Sequence, residues 1–343
     1  MNSILMDLLE KALVSGIVSS VMVPSRGPDN SFPWTLVTDV SALNRVEPVP
    51  PVMSVHGAKA LASFTQSMPE GKLLAVMRPC EARAAIELSK LEQIDLGNII
   101  LLTMDCPGAV PLKEYGEDGT MEPDINRPET LRPLCRQCTE FTSAGDLCLA
   151  MHGGLRTVIP LTSGGQELLD SLGMKAESDT SQWKEWANAL RGEREKVRAE
   201  STEKLKETYS GLQGLVEVFS GCISCRSCRT VCPICYCRLC FIDMKDRRSP
   251  ASAHLERSRN SGAARLMSNT LLFHIGRMAH MSLSCVSCGM CEDACPSDIP
   301  TGRLVSMVSG NTTELFSYSA GRNPEDPLPL NTYQLEELHE YED

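Results

Sequence analysis

The sequence predicts an α/β N-terminal domain, a helical linker and a small cysteine-dense C-terminal domain, and three observations carry that expectation. Short apolar runs alternate with helical patterns over residues 1–175. A charge-rich stretch with widely spaced apolar residues follows over 176–220. Cysteines then crowd into 221–310, before an acidic, Pro-containing tail at 311–343. In the first part the runs GIVSSVMV, WTLVTDV, KLLAVM, NIILLTM and TVIPL read as buried strands. SILMDLLEKAL, GAKALASFTQSM and CEARAAIELSKLEQI read as helices between them, so the sheet is expected to be mixed or mostly parallel. The stretch SQWKEWANALRGEREKVRAESTEKLKETYSGLQGLVEVF reads as one or two exposed helices bridging two domains.

Composition narrows the function classes. The 343 residues hold 44 acidic against 33 basic side chains, a formal charge of −11, which argues against a phosphate-binding surface and so against nucleic acid. The basic clusters MKDRRSP and HLERSRN read as solvated or docking faces rather than nucleic-acid sites. The apolar N-terminus is broken by Asp7, Glu10 and Lys11, and no run approaches the length of a membrane span. A cytoplasmic protein is expected. In that reducing compartment sixteen clustered cysteines point to metal or redox chemistry, because structural disulfides are rare there.

One internal repeat organises half of these cysteines. CISCRSCRTVCP, from Cys222, and CVSCGMCEDACP, from Cys285, share the pattern C-x2-C-x2-C-x3-C-P. This is the bacterial two-cluster ferredoxin run, in which three thiolates wrap one corner of a cubane and the fourth crosses to the other cluster. One [4Fe–4S] cluster is therefore assigned to Cys222, Cys225, Cys228 and Cys295, and a second to Cys285, Cys288, Cys291 and Cys232. Paired C-x2-C units also build zinc ribbons, but two complete runs with Cys-Pro in place favour the ferredoxin-like dicluster. The long insert between the runs carries FHIGRMAHM, a helix whose His274, Arg277 and His280 are candidates for hydrogen bonds that tune a cluster; packing is the competing reading.

Eight cysteines remain. Cys80, in RPCEARA, and Cys106, in MDCPG, each follow a strand-like run, and Cys135 and Cys138 form CRQC. Loops after strand ends are where open α/β sheets hold ligands, although Cys80 and Cys106 also read as ordinary core thiols. AVMRPCEARAAIEL, MDCPGAV, CRQCTEF and CPICYCRLC together resemble the beta subunit of coenzyme F420-dependent hydrogenases and formate dehydrogenases, in the version with a C-terminal ferredoxin-type module. The resemblance spans about residues 5–310. It implies a flavin-bearing α/β domain with a third [4Fe–4S] cluster on Cys80, Cys106, Cys135 and Cys138, and FAD near Lys59 and the Gly153–Gly154 turn. The residues themselves speak less clearly for the flavin: no G-x-G-x-x-G opens a helix, and HGGLRT and TSGGQ read as turns. Cys235, Cys237 and Cys240, with Cys148 or an unidentified fourth ligand, suit a fourth cluster or a zinc ion, or else pack as reduced thiols. Cys148 also reads as part of a buried strand in DLCLAM.

Two functions follow. In the first, a flavin exchanges a hydride with coenzyme F420 or NAD(P)H, and single electrons then pass along the clusters to a partner. That partner is the catalytic subunit of a formate dehydrogenase, a hydrogenase or a heterodisulfide-reductase-like complex. In the alternative the chain is a flavin-less iron–sulfur relay or scaffold. The family commonly carries a Gly-rich segment before its first helix, and its lack here favours the relay, while the intact RPCEARA, MDCPG and CRQC set favours the flavin. A regulatory iron–sulfur protein is a weaker third reading. No protein side chain is assigned as a catalytic acid or base.

Overall fold

A computed structural model of the chain describes residues 3–65, 71–237, 240, 251–262 and 270–332. Its centre is a six-stranded sheet in the order β2-β1-β3-β4-β5-β6, from β1 (Ser20–Pro24), β2 (Trp34–Val37), β3 (Leu73–Val76), β4 (Ile99–Met104), β5 (Leu147–Ala150) and β6 (Thr157–Pro160). The four central strands run parallel, and each edge strand pairs antiparallel with its neighbour. The expected mixed sheet is thus present. β5 completes it from the DLCLAM run, where a strand was only one of two readings.

Both faces of the parallel strands are covered, which is why they read as unbroken apolar runs rather than alternating ones. The residue-by-residue alternation survives in where the side chains go. Leu74, Val76, Ile100 and Leu102 face a core completed by helix α1 (Ser3–Val14) through Leu5, Leu8, Leu9 and Ala12. Leu73, Ala75 and Leu101 face the other side, against α2 (Gly57–Phe64) and α3 (Pro79–Lys90).

That second core does not stop at the N-terminal segment. Ile234, Met281, Val286, Val305, Tyr318, Ala320 and Leu328 belong to the same apolar cluster. The intervening helices are α4 (Leu112–Asp118), α5 (Pro133–Arg136), α6 (Ser163–Ser171), α7 (Ser181–Thr208) and α8 (Gly211–Val218). The cysteine-rich segment adds α9 (Ser227–Thr230), α10 (Ala251–Ser261), α11 (Thr270–Met281), α12 (Met290–Asp293) and α13 (Thr301–Phe316). The bridging stretch forms α7 and α8 as expected, but α7 is not wholly exposed. It buries Trp183, Ala187, Arg194 and Leu205, and the Trp183 indole donates to the buried Asp105 carboxylate at 3.0 Å. MKDRRSP lies outside the described residues.

After α13 the chain turns back over α3. Tyr318 donates its hydroxyl to the buried Glu87 carboxylate at 2.7 Å, and the Gly321 amide donates to the same oxygen at 2.9 Å. The beginning of the Pro-containing tail is therefore part of the core, because Glu87 is fully buried and takes its partners from this segment.

Candidate functional site

The parallel strands deliver the first group of cysteines. Cys80 follows β3 in the first turn of α3, Cys106 follows β4, and Cys135 and Cys138 sit on and just after α5. Pro79 at the start of α3 suits a first-turn position, where no amide partner is lost. All four cysteines line one cavity, together with Arg78, Arg132, Arg194 and Phe141. Three arginines that are 2%, 2% and 5% exposed surround these thiols. Arg78 donates Nη1 to the Cys106 sulfur at 3.3 Å, Arg132 reaches the Cys135 sulfur at 3.7 Å, and Arg194 donates to the Cys138 carbonyl at 3.1 Å. Buried guanidinium groups need a counter-charge, which a set of thiolates here would supply. Burial pushes the Cys138 thiol up to about 12.

The two ferredoxin runs build two more cavities of the same kind. Cys232, Cys285, Cys288 and Cys291 line one with Arg277, and Cys222, Cys225, Cys228 and Cys295 line another with His274. Each of the three cavities is lined by its own quartet of cysteines. Among the described residues no three His, Cys, Asp or Glu side chains close on a single-ion point; the sulfurs ring a space instead.

The sequence repeat is also a backbone repeat. Ser224 and Ser287 have φ of 56° and 55°, and Arg226 and Gly289 have 66° and 80°. These left-handed residues are uncommon outside glycine. They turn the Ser224 and Ser287 amides onto the sulfurs of Cys222 and Cys285, each at 3.4 Å. Burial raises Cys285 to about 12 and Cys228 to about 11, the latter opposed by Arg277.

Two of the cavities adjoin. Ser287 and Cys288 line both the first cavity and that of Cys232, so one loop forms a shared wall. Arg132 crosses this wall and donates to the Cys288 carbonyl at 2.9 Å. Cys225, of the last quartet, is exposed.

On α11 the buried stripe Thr270, Phe273, His274, Arg277 and Met281 follows helical spacing. It selects His274 and Arg277 from the three sequence candidates and leaves His280 off the buried face. His274 places Nε2 at 3.4 Å from the Cys222 sulfur and stacks on Phe219 with ring centroids 3.9 Å apart.

The other sequence candidates are dispersed. Cys235 touches Met281 through sulfur at 3.5 Å and lies beside Cys232, whereas Cys237 is exposed and Cys240 half-buried. Residues 238–239 and 241–250 around them lie outside the described part. Cys148 sits in β5 among Ile159, Ala150 and Trp183, so it packs as a core thiol. Lys59 donates to the Thr230 carbonyl of α9. A Cβ at Gly153 would lie 2.8 Å from the Trp183 Cα, so this turn exists to let α7 approach. Neither Lys59 nor the Gly153–Gly154 turn lines the open cleft between α7 and α13 beside Cys138 and Cys285. Neither of them lines any of the cysteine cavities either.

Sequence reasoning missed Arg78, Arg132 and Arg194. The first two had a signal, because RPC and RPLC both place Arg-Pro ahead of a ligand cysteine.

Known proteins agree with the sulfur chemistry. Residues 217–299 match the family described as a 4Fe-4S dicluster domain. The C-terminal segment is a dicluster domain. Over 92% of its length the chain is 26% identical to the F420-dependent formate dehydrogenase subunit beta of Methanocaldococcus jannaschii, covering 89% of that protein. Subunit beta of F420-dependent formate dehydrogenase 1 from Methanococcus maripaludis is 27% identical over 31% of this chain and 27% of its own length. A chain of the F420-reducing [NiFe] hydrogenase complex from Methanosarcina barkeri matches at a TM-score of 0.47 and 15% identity, over 61% of this chain and 87% of that one. The resemblance read from the sequence therefore holds over nearly the whole chain. No described helix is long and apolar enough to cross a membrane.

Proposed function

We propose that the chain is the electron-conducting iron–sulfur subunit of a formate-dehydrogenase-type complex, working in the cytoplasm. The carrying observation is the series of three cysteine-lined cavities, two of which share the Ser287–Cys288 wall. Cys80, Cys106, Cys135 and Cys138 hold a proximal [4Fe–4S] cluster. Cys232, Cys285, Cys288 and Cys291 hold an inner one, and Cys222, Cys225, Cys228 and Cys295 an outer one next to exposed Cys225. Such clusters supply one-electron storage at potentials set by hydrogen bonds and burial.

The protein's own work is to hold thiolates dry, surround them with buried arginines and aim backbone amides at sulfur. The partner fitting this reading is a formate dehydrogenase catalytic subunit, and the two-electron carrier is coenzyme F420, as in the names of the relatives. A flavin would convert between two-electron and one-electron chemistry. Lys59 and Gly153–Gly154 share no cavity that would hold that group, so no step is derived through it, and the flavin-less relay is kept as the second reading.

Metal and flavin analysis of the anaerobically purified chain tests both. About twelve irons per chain are expected, falling to about eight on Cys80→Ala. Unchanged iron in that variant overturns the proximal site. One FAD per chain would restore the flavin reading at another place in the fold. Sixteen irons, or bound zinc, would add a site at Cys235, Cys237 and Cys240.

A further inference from the structure

We propose that His274 is a positioning residue of the outer cluster: its imidazole donates Nε2–H to the Cys222 sulfur and favours the reduced state of that cluster alone. The inference rests on the three-cluster reading. It gives a task to the long insert between the two cysteine runs, which neither the repeat nor the relatives assign.

Helix α11 lies in that insert and meets the first run at three places. Thr270 and His274 are four residues apart and so share one face of the helix. The Thr270 hydroxyl lies 3.2 Å from the Ser224 hydroxyl, and His274 Nε2 lies 3.4 Å from the Cys222 sulfur. Beside them the Arg226 guanidinium sits over the Phe273 ring, 3.8 Å from its centroid. His274 lines the cavity of Cys222, Cys225, Cys228 and Cys295 and is 3% exposed. Two aromatic rings fix its orientation. The buried Phe219 stacks on it at 3.9 Å with 7° between the planes, and Phe273 meets it edge-on at 4.9 Å and 73°. A ring clamped in this way keeps Nε2 at the sulfur, because turning it would break the stack.

The repeat supplies the comparison. Cys222 and Cys285 open the two runs and accept the same backbone bond, from the Ser224 and Ser287 amides at 3.4 Å. At the first of these corners an imidazole is added. Among the described residues the inner cavity is lined by no histidine. A ligand thiolate has no proton to give, so the hydrogen between the two atoms belongs to Nε2. Reduction adds negative charge to a cluster, and an N–H···S donor stabilises the more negative state and raises the potential. The bond reaches one ligand of one quartet, so its effect belongs to the outer cluster, whose Cys225 is exposed.

The test is a redox titration of the anaerobically purified full chain followed by EPR, with iron content measured in parallel. The outer signal is the one that Cys225→Ala removes. His274→Phe keeps a ring against Phe219 and loses the donor, whereas His274→Gln loses the ring and keeps an N–H near the place of Nε2. In fully loaded His274→Phe the outer cluster should become harder to reduce. Its reduced-to-oxidised ratio at fixed potential should fall about fivefold, the worth of one net hydrogen bond. The inner and proximal signals should not move, and His274→Gln should recover part of the shift. In the unaltered chain carrying isotope-labelled histidine, pulsed EPR should find a ring nitrogen coupled to the reduced outer cluster. An unmoved outer potential in His274→Phe overturns the proposal, and so does an equal shift in all three clusters. A shift at least as large in His274→Gln would mark ring packing as the cause and overturn it too. Loss of iron from both variants, or a missing nitrogen coupling, leaves His274 a structural role only and also overturns it. Fewer than three cubane signals in the unaltered chain would defeat the three-cluster reading itself, separately from His274.

Discussion

At the scale of single residues, buried charge explains most of the site. Arg78, Arg132, Arg194 and Arg277 are each at most 5% exposed, which is tolerable only where acceptors gather round them, and Arg132 has Asp293 at 3.5 Å. His56 shows the opposite solution. It caps α2 by accepting the Ala58 amide on Nδ1 at 3.3 Å and is buried beside Arg132 and Lys59. Burial first, and then those two cations, lower its pKa to about 3. The ring is therefore neutral in the fold and takes up a proton on unfolding below its ordinary range. Stability from this residue is full above about pH 6.5 and is lost as pH falls toward 3, by up to about 1.4 kcal/mol per pH unit. His56→Asn keeps a capping acceptor. Chemical unfolding of the anaerobic holoprotein at pH 7, 6 and 5 should show a shallower loss for His56→Asn than for the unaltered chain. Parallel slopes would mean that His56 is protonated in the fold.

At the scale of elements, α3 carries the greatest burden. Its first turn presents Cys80, and Glu81 ties it to α2 by accepting the Gly57 amide at 2.7 Å while closing the cap on the Arg78 amide at 3.0 Å. Its last turns accept the returning C-terminal segment through Glu87 and Arg83. Gly321 makes that return possible: at φ 67°, its Cβ would fall 2.0 Å from the Arg83 carbonyl. Gly321→Ala should cost about 2–4 kcal/mol from overpacking and left-handed strain together. Gly192→Ala, in α7 where a Cβ meets nothing within 4 Å, should stabilise by about 0.5–1 kcal/mol. Thermal unfolding of the two variants should move the midpoint in opposite directions. A Gly321→Ala protein as stable as the unaltered chain would show that the C-terminal segment does not bind α3 in solution.

At the scale of the whole molecule, sheet and dicluster segment share one apolar core, and this sets two of the cavities side by side. Cys288 is the junction, because its loop lines both the proximal and the inner cavity. Cys288→Ala should lower iron from about twelve toward eight per chain and leave the proximal and outer signals intact. Rapid-freeze EPR after reduction of the proximal cluster should then find the outer cluster filling much more slowly. Unchanged filling would mean that electrons bypass the inner cluster.

The sequence alone determined the dicluster domain, because a cube corner demands one short spacing of thiolates and the repeat states it twice. It also determined the strands, whose burial on both faces leaves a continuous apolar signature, and through the resemblance it grouped Cys80 with Cys106 and CRQC. Tertiary structure decided what depends on residues distant in the chain. Arg78, Arg132 and Arg194 carry no periodic signal, since a charged side chain is legible as buried only once its counter-charges are placed. The wall between cavities joins residues near 80, 135 and 288, and only the parallel strand order and the shared core bring these loops together. Lys59 contacts α9, whereas the glycines admit α7, so the residues that the resemblance grouped around one flavin have different packing partners in the fold.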